Sequence, residues 1–319
     1  MFSVEGIVNI LQVSAEIGIL AVAVALLMIA GEFDLSIGSM IGFAGVIIGL
    51  GATVYGIPLT TCVLIAFVGC AAIGALNGWI TVKTGLPSFI VTLASLLILR
   101  GLTIAGTRAI NGYTQISKIT ASDPDSPMIR LFSGRVGAPF FVWMAEQGWI
   151  DTKTNGLPMI EGLPISIVWW VVLTALATWV LLKTSFGNWT FAVGGDPTSA
   201  RNVGVPVNRV KIILFMLTAL TAVFFAATQV LDVGSADVLR GTQKEFDAII
   251  AVVIGGTLLT GGYGSAVGAL LGALIYGTVQ IGILYTGIDS DLFKVFLGLM
   301  VLLAVLFNNY VRRRVTAPR

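Results

Sequence analysis

The 319-residue chain has no histidine, two cysteines and few charged residues, and each scarcity excludes a kind of chemistry. Without histidine there is no imidazole to act as a general base or to bind a metal. The cysteines, Cys62 and Cys70, share one apolar stretch, and as a helix it would separate them by about 12 Å, too far for a disulfide. Charged residues make up 11% of the chain. Soluble domains have about 25%, so the chain has too little polar surface for a water-soluble fold.

Two further absences concern partners. The sequence has no Gly-x-x-x-x-Gly-Lys-[Ser/Thr] loop, so we expect no ATP site and no cofactor bound by this chain. The net charge is only +2, which argues against nucleic acid as a partner.

Apolar sequence, in contrast, is abundant. Hydrophobic residues make up 56% of the chain, and the mean hydropathy is +0.97. Apolar runs recur near the roughly 20 residues that a helix needs to cross a bilayer. We therefore predict an all-α polytopic membrane protein, a single transmembrane domain over 1–319 surrounded by lipid. It would have about nine spans, at 9–30, 36–55, 59–82, 87–106, 164–183, 210–231, 247–261, 265–286 and 291–309.

Glycines mark two features of these spans. The seventh span is short and interrupted by Gly255, Gly256, Gly261 and Gly262, which is typical of a half-helix or a re-entrant element. Glycines also recur at small-residue spacing, which allows close approach of helix backbones. These glycines are Gly38, Gly42, Gly45, Gly49, Gly264, Gly268 and Gly272.

The distribution of cations in the short loops predicts the orientation. Arg240 and Lys244 lie on one side. The other side has more cations and is therefore predicted to be cytoplasmic: Lys83, Lys183, Arg201, Arg209, Lys211, Arg312, Arg313, Arg314 and Arg319. This orientation makes 107–163 a long external loop and 184–209 a cytoplasmic loop. Within 107–163, the stretch APFFVWMAEQGWI fits either a short interfacial helix or a packed loop.

The cytoplasmic loop contains the signals of one short helix. Asp196 suits the N-cap, Pro197 the first helical position and Gly204 the position just after the end. We predict an isolated helix over Pro197–Val203, with Arg201 in its last turn. Such a short helix is marginal alone, so it either docks on another surface or is an ordinary capped turn.

Acidic residues flank two of the spans. Glu32 and Asp34 follow the first span, and Glu245 and Asp247 open the seventh. Both pairs read Glu-Phe-Asp before a glycine-rich run, and they lie on opposite sides, as an inverted repeat would place them. Coincidence is the alternative. A helix-capping role suffices for Asp34, near a helix start at Ser36, and for Asp247.

Glu16 lies inside the first span and must therefore face protein or water, pair, or be protonated. Arg100 could pair with it or extend to the membrane surface, but nothing in the sequence places the two together. The uncharged hydrogen-bonding residues within spans are Asn77, Thr92, Ser95, Gln229 and Gln280.

Several segments together resemble the bacterial ABC-importer permeases for ribose, xylose and related simple sugars, in order from about residue 2 to 309. The family's Gly-x-x-Asp-Leu-Ser-x-Gly motif is present as Gly31, Asp34, Leu35, Ser36 and Gly38. Its Glu-Leu-Asp-Ala-Ile motif is present as Glu245, Phe246, Asp247, Ala248 and Ile249. The matching segments are NILQVSAEIGILAVAVALLMIAGEFDLSIGSM, PSFIVTLASLLILRG, FAVGGDPTSARNVGVPVNRVK and EFDAIIAVVIGGTLLTGGYGSAVGALLGALIYG.

The resemblance implies a multi-pass permease of ten helices in the bacterial inner (plasma) membrane, and we expect the first helix to be missing here. It implies a second permease copy, a periplasmic sugar-binding protein and a cytoplasmic ATP-binding-cassette ATPase that hydrolyses the ATP, so that this chain is not itself an enzyme. It makes 184–209 the loop that couples to the ATPase, through Gly194, Gly195, Asp196, Pro197, Ala200, Arg201 and Gly204. The translocation path or helix break would comprise Gly31, Glu32, Asp34, Ser36, Asn77, Glu245 and Asp247.

Glu16, Glu32 and the basic stretch from Arg240 depart from the family pattern and leave the cargo open. A nucleoside, another small polar solute or, more distantly, a branched-chain amino acid is the alternative within the same class. An ion-coupled secondary transporter with Glu16, Glu32 and Asp34 as proton or cation sites is the alternative from another class.

Overall fold

The computed structural model describes residues 3–154, 157–287, 289 and 292–316. Most of this part of the chain is helical. The helices are α1 (Val4–Ile29), α2 (Ile37–Thr53), α3 (Leu59–Thr84), α4 (Ser88–Asn111), α5 (Ile119–Ser122), α6 (Pro127–Ser133), α7 (Ala138–Glu146), α8 (Ile165–Lys183), α9 (Ser185–Gly195), α10 (Pro197–Asn202), α11 (Val207–Val233), α12 (Lys244–Ile254), α13 (Ala266–Thr286) and α14 (Leu292–Thr316).

Among the described residues, six helices are long and apolar enough to cross a membrane: α1, α3, α4, α8, α11 and α13. The apolar helices Ile37–Thr53 and Leu292–Leu306 are shorter. In the seventh predicted span, α12 has only 11 residues and ends at Ile254, before the glycines. The structure is therefore a multi-pass helical membrane protein, while the count of about nine spans stays a prediction.

Helix α1 is the centre of the bundle. It packs against α8, α11, α12 and α13, and every residue from 17 to 30 is buried. The outer helices α3, α4 and α8 expose apolar side chains such as Val68, Leu97 and Leu182. Such faces suit lipid, which is as apolar as leucine.

The segment after α4 is more ordered than the predicted loop over 107–163. Helix α4 itself continues to Asn111, and α5, α6 and α7 follow. Two antiparallel pairs order the segment. The pair β1 (Gln115–Ile116) with β4 (Ala236–Asp237) joins it to the connection between α11 and α12, and the pair β2 (Arg135–Val136) with β3 (Leu163–Pro164) links its middle to its end, just before α8. The aromatic stretch forms α7, and its Phe141 and Met144 are buried in one cluster with Val8 of α1.

The glycine stripe of α2 has more than one kind of partner. A Cβ atom at Gly42 would overlap the carbonyl oxygen of Val238, and one at Gly38 would come within 2.5 Å of the carbonyl oxygen of Gly241. The first two glycines therefore pack against the non-helical connection between α11 and α12, whereas Gly45 packs beside Val230 of helix α11. On α13, Gly268 and Gly272 do contact a helix terminus, at the last turn of α12.

Candidate functional site

Between α1 and α2 the chain is non-helical from Gly31 to Ser36, and we call this stretch the unwound segment. Gly31 opens it with a φ of +81°, a left-handed conformation that glycine adopts without strain. Two of its backbone N–H groups donate to hydroxyls of α4: Phe33 to Ser88 Oγ and Leu35 to Thr92 Oγ1, both at 3.0 Å. Non-helical backbone is tolerated inside a membrane protein only where the protein or water satisfies it in this way.

The Asp34 side chain organises the end of the unwound segment. Asp34 is 2% exposed. Its Oδ1 accepts the backbone N–H of Ser36 at 2.9 Å, and its Oδ2 accepts the hydroxyl of Thr218 at 2.6 Å. Asn77 Nδ2 donates to Ser36 Oγ at 3.0 Å, which extends the network to α3. Asp34 thus acts at a helix start, but the prediction that it is the N-cap was wrong, because Ser36 holds that position.

Removing the Thr218 hydroxyl tests this network. In Thr218→Val, Asp34 Oδ2 loses its only hydrogen-bond donor in the network, and an unsatisfied buried acceptor costs about 1–3 kcal/mol. Thr221→Val is the matched control, since the Thr221 hydroxyl donates only to the Thr218 carbonyl within α11. We expect thermal unfolding of the purified protein in detergent to show a clear loss for Thr218→Val and a much smaller one for Thr221→Val. Equal losses would mean that Asp34 does not depend on Thr218.

Glu32, which departs from the family pattern, forms an ion pair with Lys211 of α11. The two side chains are 11% and 17% exposed. Both border a cleft of about 290 Å³, together with Arg201, Asn208 and the connection from α3 to α4. The pair therefore attaches the unwound segment to the end of α11 for which the charge distribution predicts a cytoplasmic location.

The short helix predicted over Pro197–Val203 is present as α10, with Asp196 as its N-cap. Asp196 accepts the Thr198 N–H at 2.9 Å and the Ser199 hydroxyl at 2.6 Å. These bonds, the hydroxyl first, lower the pKa of Asp196, so the cap stays charged at neutral pH and is lost only in acid. The stretch 184–209 is not a simple loop, however, because α9 occupies its first half.

Helix α10 packs against the helix bundle through one small side chain, that of Ala200. Ala200 is buried, whereas its neighbours on α10 are exposed, and Val203 after the helix is 79% exposed. Ala200 belongs to a cluster with Val193 of α9, Leu27 of α1 and residues of α8 and α11. Gly204 follows with a φ of +87°, as predicted for the position after the helix. In addition, Arg201 donates to Asn208 Oδ1 of α11 at 3.3 Å.

Three backbone segments that contain glycine contact one another at the end of α9, just before α10. We call this contact the glycine junction. The Ile29 carbonyl oxygen at the end of α1 accepts the N–H of Gly262 at 2.8 Å. A Cβ atom on Gly194 of α9 would overlap the same oxygen, and one on Gly261 would lie 2.8 Å from the Gly31 Cα. The junction thus joins the end of α1, the end of α9 and the loop after α12.

The second acidic pair lies in α12 rather than in an unwound stretch. Gln243 is the N-cap of α12, so the predicted capping role of Asp247 was wrong. Asp247 instead pairs with Lys244 at 3.2 Å. Glu245 is 2% exposed, and its carboxylate lies against Gly38. The two Glu-Phe-Asp motifs therefore have different local structures, and the inverted repeat stays a prediction.

Glu16 and Arg100 are not brought together. Glu16 lies beside Gln12 and Gln229, whereas Arg100 lies on the side of Glu245. The sequence analysis did not identify Ser88 and Thr218 as residues that hold the site together, nor Lys211 as the partner of Glu32. Isolated hydroxyls inside apolar spans were the available signal for the first two.

The fold and this site define a multi-pass helical membrane protein with an interrupted helix in its core and a capped surface helix on one face. A family model described as the permease component of branched-chain amino acid transport systems matches residues 6–305. The chain is 33% identical over 311 residues to the ribose import permease protein RbsC of Escherichia coli (strain K12), a match that covers 97% of this chain and 87% of that protein.

Two further relatives are similarly close. The xylose transport system permease protein XylH of E. coli (strain K12) is 30% identical over 342 residues, which cover 98% of this chain and 86% of that protein. The ribose import permease protein RbsC of Bacillus subtilis (strain 168) is 31% identical over 304 residues, covering 95% and 84%. No solved structure gives a significant match. The chain belongs to this family of ABC-importer permeases, which confirms the resemblance seen in its motifs.

Proposed function

We propose that this chain is the membrane-spanning permease subunit of a bacterial ABC importer and that its cargo is a simple sugar. Relatives that match nearly the whole of this chain are named for ribose import and xylose transport. The proposal includes a cytoplasmic ATPase that binds and hydrolyses ATP, a periplasmic sugar-binding protein, a second permease copy and an inner-membrane location.

The observation that carries the proposal is the seating of α10. This helix exposes most of its surface and is fixed to the bundle through Ala200. Its last turn carries Arg201, a cation where the helix dipole favours one. A capped, rigidly seated helix with a free outer face suits docking of a protein, and we assign that partner as the ATPase.

Two links would carry a movement of α10 into the bundle. The first is the Arg201–Asn208 hydrogen bond to α11, and the second is the apolar cluster that includes the end of α1. From α11, the Lys211–Glu32 pair continues to the unwound segment. ATP-driven closure of the ATPases would thereby shift the unwound segment and open the route to one side of the membrane.

Uptake in cells tests the function. The complete importer, with its ATPase and binding protein, is expressed in a host that lacks its own ribose and xylose uptake. We expect uptake of labelled ribose or xylose that stops when the ATPase cannot hydrolyse ATP. Uptake that an uncoupler abolishes while ATP is maintained would instead establish an ion-coupled transporter.

The cargo has its own test. Because the family model is described for branched-chain amino acids, labelled leucine and a labelled nucleoside are measured in the same cells. Uptake of either compound without uptake of ribose or xylose would refute the sugar assignment and leave the importer class intact.

Docking at α10 is tested at the exposed Gly195. A Cβ atom there meets nothing within 4 Å, so a side chain at this position projects outward. We expect Gly195→Trp to reduce co-purification of the ATPase at least tenfold while the permease still inserts. Gly195→Ala is the matched control and should retain the ATPase. Full co-purification with tryptophan at 195 would show that the ATPase docks elsewhere.

A further inference from the structure

The hydrogen-bonding groups inside the bundle divide into two sets. The Asp34 network is satisfied within the protein: both carboxylate oxygens accept protein donors, and Ser36 Oγ accepts from Asn77. In contrast, six buried side-chain atoms have no hydrogen-bond partner among the described residues: Arg100 Nη2, Ser126 Oγ, Trp170 Nε1, Glu245 Oε2, Thr257 Oγ1 and Gln280 Oε1. Arg100 and Glu245 are the two ionisable members of this set, so the strongest spare capacity to bind a polar solute lies there rather than at Asp34, Ser36 and Asn77.

Arg100 lies in the middle of α4, far from either end of this membrane-crossing helix. The Ser39 hydroxyl of α2 donates to the Leu96 carbonyl at 2.8 Å, which places α4 beside the start of α2 one turn before Arg100. The Glu245 carboxylate lies against Gly38 in the first turn of α2. Three elements thus bring a guanidinium and a carboxylate to similar depth in the bundle.

The Arg100 and Glu245 side chains form neither a hydrogen bond nor an ion pair with each other within 4.0 Å. A purely structural pair would be expected to close this gap, because each unpaired buried charge is costly. Arg100 is also only half-buried. Exposure of arginine to lipid at mid-membrane is unfavourable, so its exposed part must face water or another protein surface.

We propose that Arg100 and Glu245 bind the hydroxyl groups of the sugar as it passes through the permease. A guanidinium only donates hydrogen bonds and a carboxylate only accepts them, whereas each sugar hydroxyl does both. Neighbouring hydroxyls on one ring can therefore satisfy both side chains at once. Because Gly38 has no side chain, the Glu245 carboxylate fits against the first turn of α2. This inference rests on the proposed function for the identity of the cargo.

Uptake kinetics test the binding role. Loss of one charge-assisted hydrogen bond weakens binding about tenfold or more, so we expect Glu245→Gln and Arg100→Lys each to raise the KM for ribose or xylose uptake about tenfold. Co-purification of the ATPase checks that each variant still assembles. Thr103→Val is the matched control on α4, because the Thr103 hydroxyl already donates to the Leu99 carbonyl at 2.6 Å. An unchanged KM in both variants would overturn the inference.

Thiol labelling gives a second readout. In the assembled importer, Arg100→Cys is treated with a small methanethiosulfonate reagent, with and without ribose or xylose and the binding protein. We expect sugar to slow labelling at 100 and to leave Leu97→Cys unaffected, since Leu97 is 61% exposed on the outer side of α4. The native Cys62 and Cys70 are at most 1% exposed and give a low background. If the labelling rate at position 100 were the same with and without sugar, contact of this position with the cargo would be refuted.

Two outcomes separate this inference from the proposed function. If the unmodified importer takes up neither ribose nor xylose, the proposed cargo is wrong. If it takes up sugar, and the exchange Arg100→Glu with Glu245→Arg restores a normal KM, the two residues form only a structural pair. A retained defect in this exchange supports direct recognition, because the longer arginine and the shorter glutamate would then approach the sugar from exchanged positions and no longer match the places of its hydroxyls.

Discussion

Gly194→Ala is expected to abolish transport and most of the folded protein, whereas Gly195→Ala should be silent. The new Cβ at 194 would overlap the Ile29 carbonyl oxygen and lie 2.6 Å from the Gly262 nitrogen, whereas at 195 it meets nothing within 4 Å. Both obstacles at 194 are backbone atoms, so no side chain can rotate away. Overpacking costs about 1–3 kcal/mol where side chains yield, and we expect at least the upper value here.

The two alanine variants have the same composition and change neighbouring positions of α9, so they form a matched pair. Size-exclusion chromatography of fluorescently tagged protein in detergent measures the folded fraction, and sugar uptake in cells measures function. Normal folding of Gly194→Ala would show that α9 does not contact α1 as closely as the glycine junction requires.

Lys211→Ala should reduce uptake more than tenfold, and Lys211→Glu combined with Glu32→Lys should recover much of it. Removing one partner of a fully buried pair costs about 3–5 kcal/mol, because the other charge is left unpaired. The slight exposure of Glu32 and Lys211 lowers this to about 2–3 kcal/mol. A double-mutant cycle on thermal stability isolates the interaction.

The Lys153–Glu161 pair provides the control for this experiment. Its N–O distance is 2.7 Å, but its side chains are 39% and 57% exposed. Lys153→Ala should therefore leave the thermal stability almost unchanged and uptake intact. If Lys211→Ala behaved like Lys153→Ala, the link from α11 to the unwound segment would have no part in transport.

Local signals in the sequence were sufficient for α10. The start and end of α10 are specified by Asp196, Pro197 and Gly204 through interactions within a few residues. Neighbouring positions in the sequence are therefore enough to predict both ends. The shortened α12 was also indicated, by the glycines that follow it. These features depend on the chain nearby and on little else.

The contacts of Glu32 could not be found in this way. Its partner Lys211 lies 179 residues further along the chain, and only the folded bundle brings the two together. The same holds for the hydroxyls of Ser88 and Thr92, which accept hydrogen bonds from the backbone of the unwound segment. The glycine stripe of α2 signalled close approach, but spacing alone did not show that the approaching chain is non-helical.

The unwound segment has a kinetic consequence. In a continuous helix, shifting one residue disturbs a ladder of backbone bonds, whereas Phe33 and Leu35 are each held by a single rotatable hydroxyl. Each such bond contributes only about 0.5–1.5 kcal/mol net. We therefore expect α4 to exchange these bonds one at a time, so that the bend between α1 and α2 changes without any helix having to melt.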